Sequence, residues 1–403
     1  MKILLVNKFH YLKGGSEKYY FELAKLLKEN GHEICFFSTF NKNNIKTNDK
    51  TYFVDEIDMN NGSKLNALNI IYSFKNKKII KKVLEEFKPD IVHINNFQRQ
   101  LSASIIDAIK EKNIPIVFTA HDLQAICPSI TMLDNNKQIC EKCFRGKYYN
   151  CIKNKCNKNS RLKSIIGAIE GYYYRKSNIY TKKIDVIITP SHFYKTMLIK
   201  DGINENKIKV LHNFIDINNK EYKNNLGNYA LYIGRLSKEK GILNLIEAFS
   251  KLNKGILHIA GIGDEYDNIK NYIENQKLEK RIKLLGYLNK DEIAKEIIGC
   301  KFVVVPSIWY ENCPYSILET LSLGKTIIGS NIGGISELIE DKKTGLLYEP
   351  NNIEDLKEKI KLFFEDDNLV DKLSDKAKKY AEKNFSKQEY YKNLNKIYNN
   401  LLK

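Results

Sequence analysis

Arg235 and Lys240 put a guanidinium and an ammonium five residues apart in Gly234-Arg235-Leu236-Ser237-Lys238-Glu239-Lys240-Gly241, directly after an apolar run. At a strand-to-helix junction this pair suits a diphosphate, with Arg235 as a bidentate fork and Lys240 as a point charge. Further on, Glu311 and Glu319 lie eight residues apart, flanking the turn Cys313-Pro314 and the start of a helix. Paired carboxylates at that spacing serve as an acid and a base, or as acceptors for sugar or ribose hydroxyls. Near the start, Gly14-Gly15-Ser16-Glu17 leads from a loop into a helix. Adjacent glycines let backbone N–H groups approach an anion, but the Gly-Lys-Ser/Thr ending of a phosphate-binding Walker loop is missing. His121, in Thr119-Ala120-His121-Asp122 at the end of an apolar strand, is a candidate polar contact to a reacting group.

Two rounds of strand–helix alternation position these residues. Ile3–Asn7, Glu33–Ser38, Ile91–Asn95, Ile116–Thr119 and Val186–Thr189 read as buried strands in the first half. Tyr229–Ile233, Ile256–Ala260, Ile282–Leu285, Phe302–Val305 and Thr326–Gly329 read so in the second. Helical periods lie between them, which predicts an α/β chain with two parallel sheets in tandem, each covered on both faces. Ligands of such sheets bind at the carboxyl ends of the strands. The boundary is expected in the polar stretch Asn204–Asn228. A terminal helical stripe, Tyr391, Leu394, Ile397 and Leu401, needs a surface to bury it.

The chain has 403 residues and a net charge of +18, from 66 Lys+Arg and 48 Asp+Glu. Its 43% hydrophobic content excludes a disordered or fibrous protein, and its length suits two domains. The charge is concentrated: residues 137–183 carry +11, against +4 before and +3 after. Such a segment invites an anionic membrane, a phosphorylated ligand or nucleic acid, and it interleaves the cations with Tyr148, Tyr149, Tyr172, Tyr173 and Tyr174. The opening apolar run is shorter than a signal-peptide core, and no window reaches the length of a membrane span, so a cytoplasmic chain with reduced thiols is expected. Within the basic segment Cys140, Cys143, Cys151 and Cys156 have a Cys-x2-Cys half that fits structural Zn2+, with Cys127 just upstream.

Taken in order, Gly14-Gly15-x-Glu17, Asn213-Phe214-Ile215-Asp216, Gly234-Arg235-Leu236-x-x-x-Lys240-Gly241, Ala260-Gly261-Ile262-Gly263, and Glu311-x7-Glu319 followed by Gly333-Gly334-x-x-Glu337 resemble the family 4 glycosyltransferases. These are retaining enzymes of GT-B fold, two Rossmann-like domains facing a cleft. The Glu-Asn-Cys-Pro-Tyr-Ser version is similar to bacterial polysaccharide-assembly members. The resemblance implies an acceptor-side domain over 1–205 with an insertion at 137–183, a nucleotide-sugar domain over 206–380, and a C-terminal helix, 381–403, returning to the first domain.

It implies a UDP- or GDP-sugar donor, a glycan or polyprenyl-diphosphate-linked acceptor, no nucleic acid, and no metal in the transfer itself. Arg235 and Lys240 would neutralise the donor diphosphate, helped by Gly14, Gly15 and Gly263. Tyr287 and Leu288 would meet the base, Glu319 the ribose, and Glu311 the sugar hydroxyls, beside the turn of Cys313, Tyr315, Ser316 and Ile317. His121 would face the transferred sugar. Two positions depart from the pattern: Pro314 removes one N–H where many members have Gly, and Phe214 replaces a common Gly. Other readings are an epimerase or hydrolase of the same fold, and a nucleic-acid-binding protein using the basic segment.

Overall fold

The structure, a computed structural model, describes residues 1–58, 64–217 and 227–403. The chain divides into two compact units, Met1–His212 with Tyr390–Lys403, and Asn213–Glu389. Residues 218–226, part of the polar stretch in which the boundary is expected, lie outside the described residues.

The first unit is built on a seven-stranded sheet of β1 (Lys2–Asn7), β2 (Glu33–Phe40), β3 (Lys50–Asp55), β4 (Ile91–Asn96), β5 (Ile116–Thr119), β6 (Val186–Thr189) and β7 (Ile208–Val210). Their order is β3-β2-β1-β4-β5-β6-β7, and every pairing is parallel. Ile3, Leu4, Leu5 and Val6 of β1 are all fully buried, as a strand covered by helices on both faces must be. The second unit has six strands, β8 (Tyr229–Ile233), β9 (Ile256–Ala260), β10 (Ile282–Gly286), β11 (Phe302–Val305), β12 (Ile327–Ser330) and β13 (Gly345–Tyr348), in the order β10-β9-β8-β11-β12-β13. These pairings are also parallel. Its core joins Ile242, Leu245 and Phe249 of one helix to Phe302 and Val304 of β11 and to Leu356, Ile360 and Phe363 of another.

The strands β3, β7 and β13 are additions to the ten expected from hydrophobic runs. All three are sheet edges, with a neighbour on one side only. An edge strand needs less apolar surface than a central one, so β3, with its buried residue limited to Val54, leaves little trace in the sequence. The boundary moves accordingly. β7 pairs with β6, which keeps the chain in the first unit to His212 rather than ending it at residue 205.

The terminal helix also starts later than residue 381. The preceding helix runs Asp367–Phe385, Ser386 leaves the helical region at φ −67° and ψ 145°, and the last helix is Lys387–Leu401. It buries Tyr390, Leu394 and Tyr398, a four-residue repeat that replaces the expected Tyr391/Ile397/Leu401 edge of the stripe. From Tyr390 onward it belongs to the first unit. Among the described residues no helix is long and apolar enough to cross a membrane.

Candidate functional site

In each sheet the strand order reverses once, between β1 and β4 and between β8 and β11. Loops leaving the carboxyl ends of strands on either side of such a reversal part, and ligands of open α/β sheets bind there. The candidate residues fall at these ends.

In the second unit, Arg235 and Lys240 follow β8 and Glu311 follows β11. Lys240 Nζ lies 2.5 Å from Glu311 Oε1, and Ser307 Oγ donates to the same oxygen at 2.8 Å. Glu311 is buried; burial pushes its carboxyl up, but the Lys240 charge and the hydrogen bonds from Lys240 and Ser307 outweigh it, leaving the pKa below the ordinary value. Lys240 also sits 5.5 Å from the centroid of the Trp309 ring. Arg235 turns elsewhere: its Nη2 donates to Glu239 Oε1 at 2.6 Å, and its side chain is 61% exposed. The two cations of the loop are therefore unequal, one locked and one presented to solvent.

Glycines let these loops interlock. A Cβ on Gly241 would stand 1.9 Å from Pro306 O, and one on Gly263 2.2 Å from Leu236 O. Gly333 has φ +57°, a Cβ there would meet Glu311 O at 2.6 Å, and Gly334 N–H donates to that carbonyl at 2.7 Å. The Gly333-Gly334 turn thus holds the Glu311 backbone.

The helix Tyr315–Ser322 begins after Pro314, so Tyr315, Ser316 and Ile317 open it and Glu319 lies one turn in, half-buried. Cys313 is buried, its thiol pushed up to about 12 by burial, and its carbonyl accepts from Asn213 Nδ2 at 2.9 Å. The Cys313 side chain is thus neutral packing. At the end of β10, Gly286 O accepts from Gly261 N–H at 2.8 Å, Tyr287 is 75% exposed and Leu288 is half-buried.

In the first unit Gly14 caps the helix Gly15–Glu29 in extended conformation, and both glycines are exposed. Glu17 is buried beneath them, accepting from Ser16 Oγ at 3.0 Å and Asn7 Nδ2 at 3.5 Å. His121, at the end of β5, is half-buried, with Nε2 3.2 Å from Asn95 Oδ1 and its ring 4.6 Å from that of Tyr19. Burial lowers its pKa to about 3, and Lys8 adds to the shift, so the imidazole is neutral near pH 7 with Nε2–H donating to Asn95.

Beneath it His93 Nε2 meets Thr119 Oγ1 at 2.7 Å and Nδ1 meets Tyr398 OH at 2.5 Å, while Tyr19 OH bonds both Thr119 Oγ1, at 3.3 Å, and Tyr390 OH. The terminal helix therefore reaches the floor under His121. Sequence reading missed Asn95, Ser307, Trp309 and this tyrosine set. Asn95 and Ser307 share the signal that marks His121, a polar residue at the carboxyl end of an apolar strand.

The cysteines gather in the insertion. Cys143, Cys151, Tyr148 and Ala168 form a small core against which Cys156 packs. Among the described residues no three of the cysteine sulfurs lie within 4.8 Å of one another. As placed, Cys140, Cys143, Cys151 and Cys156 do not form a tetrahedral ligand set.

The family model described as Glycosyltransferase Family 4 matches residues 13–219, and that described as Glycosyl transferases group 1 matches 213–383. An uncharacterized glycosyltransferase of Methanocaldococcus jannaschii is 26% identical over 405 residues, covering 100% of this chain and 99% of its own. The N-acetylgalactosamine-N,N'-diacetylbacillosaminyl-diphospho-undecaprenol 4-alpha-N-acetylgalactosaminyltransferase of Campylobacter jejuni is 30% identical over 208 residues, 50% of this chain and 56% of that protein. Among solved structures, HepE of Anabaena in complex with UDP superposes with a TM-score of 0.71 at 18% identity, covering 98% of this chain and 99% of that one. That likeness gives the fold, GT-B.

Two outcomes follow from the geometry. Lys240→Ala strands the buried Glu311 carboxylate and should cost about 3 kcal/mol, whereas Arg235→Ala breaks a pair whose guanidinium is largely exposed and should cost less, about 1 kcal/mol; denaturant titration compares them. His93 titrates near 3 when folded and near 6.5 when unfolded, so its stabilisation is complete above about pH 6.5 and drains away as pH falls toward 3. His93→Gln should therefore lose less melting temperature than the natural chain between about pH 7.5 and about 5.5.

Proposed function

The chain belongs to glycosyltransferase family 4, and from that premise we propose that it moves a hexose from a nucleoside-diphosphate donor to a glycan or polyprenyl-diphosphate-linked acceptor with anomeric retention. The setting is bacterial surface polysaccharide or glycolipid assembly, at the inner face of a membrane. The observation that carries the reading is the buried Lys240–Glu311 pair at the strand reversal of the second sheet. Arg235 beside it is a permanently charged fork open to solvent.

In this scheme Arg235 and Lys240 neutralise the diphosphate as negative charge grows on the leaving group. Gly14, Gly15 and Gly263 bring main-chain N–H groups to the phosphates, Glu319 accepts from ribose hydroxyls, and Tyr287-Leu288 meets the base. Glu311 orients: Oε1 already accepts from Lys240 and Ser307, and an ion-paired carboxylate is a poor nucleophile but a good hydroxyl acceptor. Same-face substitution then needs no covalent enzyme intermediate. His121, held neutral, contributes a hydrogen bond rather than a proton. UDP in the HepE complex and the undecaprenyl-linked acceptor named for the Campylobacter enzyme support a UDP-sugar donor and a lipid-linked acceptor.

Zinc on Cys140, Cys143, Cys151 and Cys156 is proposed as structural only, and it requires the thiols to draw closer together than they stand.

A thermal-shift panel of UDP-, GDP-, ADP- and dTDP-sugars should stabilise the protein with one base in preference. That shift should disappear in Arg235→Ala, a folded variant; an unchanged shift would remove Arg235 from the donor site. Metal analysis should find about one zinc per chain, lost in Cys140→Ser/Cys143→Ser; a metal-free, folded protein would end the zinc proposal.

A further inference from the structure

The helix Arg161–Lys176 in the basic insertion is amphipathic the wrong way round. It buries Ser164, Gly167, Ala168, Glu170 and Tyr174. Toward solvent it turns Leu162, Ile169 and Tyr172, which are 60%, 46% and 42% exposed, with Ile165, Ile166 and Tyr173 half-buried between them. At about 100° per residue these six positions fall within about 120° of the helix circumference, and the buried five fall on the opposite side.

Close packing explains the inward face. A Cβ on Gly167 would lie 2.6 Å from Asn157 Nδ2, and one on Gly171 2.9 Å from the Tyr148 ring. The inward Glu170 carboxylate is satisfied by Arg99 N–H, Tyr174 OH and Gln124 Nε2 at 3.0, 2.8 and 3.2 Å. The outward face is covered only in part: Ile165, Ile166 and Tyr173 are half-buried, while Leu162, Ile169 and Tyr172 remain exposed.

The apolar stripe continues onto its neighbours. Tyr173 meets Tyr72 with ring centroids 5.9 Å apart, and Tyr72 meets Phe74 at 5.0 Å; Phe74 is 77% exposed. On the other side Tyr149 N–H donates to Tyr172 OH, and the Tyr149 ring is 56% exposed. In the same insertion Lys142, Lys147, Lys153, Lys155, Lys158 and Arg161 are exposed and form no ion pair among the described residues. The segment's acids do not offset them: Glu170 is buried, and Glu141 pairs with Lys200.

We propose that this outward face, the stripe Leu162/Ile165/Ile166/Ile169/Tyr172 with Phe74, seats the protein on the anionic surface of a lipid bilayer. The proposal deepens the reading of a chain working at a membrane, and rests on it. Apolar side chains enter the headgroup–acyl boundary, exposed tyrosines lie at the interface, and the lysines meet anionic headgroups. Two copies meeting through this face would bring like charges together. A nucleic acid would use the cations but would leave Leu162, Ile169 and Phe74 without a role.

The test is sedimentation of the full chain with phosphatidylcholine vesicles, with and without phosphatidylglycerol. The natural protein should bind the anionic vesicles and release them as salt rises. Leu162→Ser/Ile169→Ser, at unchanged charge and melting temperature, should weaken binding at least about tenfold. Lys153→Ser/Lys155→Ser/Lys158→Ser should weaken it about a hundredfold at low salt. Absence of binding by the natural chain, or equal binding by the Leu162/Ile169 variant, overturns the proposal. Concentration-dependent dimers lost in that variant would assign the face to a second copy, and tighter binding to oligonucleotides than to vesicles would assign it to nucleic acid. Donor-induced stabilisation, followed in parallel, separates the outcomes: its retention in a chain that ignores vesicles sinks the membrane face alone and leaves the transferase reading standing.

Discussion

A parallel strand reaches its neighbour only through a crossover of a dozen or more residues. In both units that constraint decides what stands beside what. All pairings in the two sheets are parallel, so every strand ends on the same edge of its sheet as the next, and every following loop starts there. The order reverses once per sheet, at β1/β4 and at β8/β11, and the flanking loops diverge. Residues 71 positions apart, Lys240 and Glu311, become hydrogen-bonded neighbours because their strands adjoin across that reversal. Gly14, Asn95 and His121 owe their places to the ends of β1, β4 and β5 in the same way.

Burial then sets the charge state of what the loops bring. Glu311 stays ionised because Lys240 and Ser307 together outweigh the cost of removing it from water. Burial keeps His93 and His121 neutral. The first unit therefore offers hydrogen-bond geometry at its strand ends, and the second a buried charge pair with an exposed, Glu239-paired guanidinium beside it. The terminal helix carries part of this design, since Tyr390 and Tyr398 close the polar set around Thr119 and His93 from a sequence distance of more than 270 residues. The insertion follows another logic. Its helix Arg161–Lys176 turns small and acidic residues inward and an apolar stripe outward.

Much of this was legible in the chain. Ten strands were marked by apolar runs, and the loop residues following them were identified by type and spacing: Gly-Gly before a helix, Arg and Lys five apart, Glu and Glu eight apart. What escaped was of two kinds. Edge strands β3, β7 and β13 were missed because one-sided pairing asks for little apolar surface, and the unit boundary moved with β7. One helix face was misjudged where the buried side is aromatic, Tyr390/Leu394/Tyr398 in place of Tyr391/Leu394/Ile397/Leu401.

Local order belongs to the sequence alone: the period of hydrophobicity selects strand or helix, and glycines and prolines mark where each begins and ends. It also determined the concentration of positive charge in residues 137–183, which no folding can alter. Tertiary structure alone decided that Lys240 pairs with a carboxylate 71 positions away, while Arg235 pairs within its own turn and stays largely exposed. It also decided that an apolar stripe of the helix Arg161–Lys176 faces outward. Each of these depends on distances between side chains far apart in the chain, and a sequence carries such distances only through the fold.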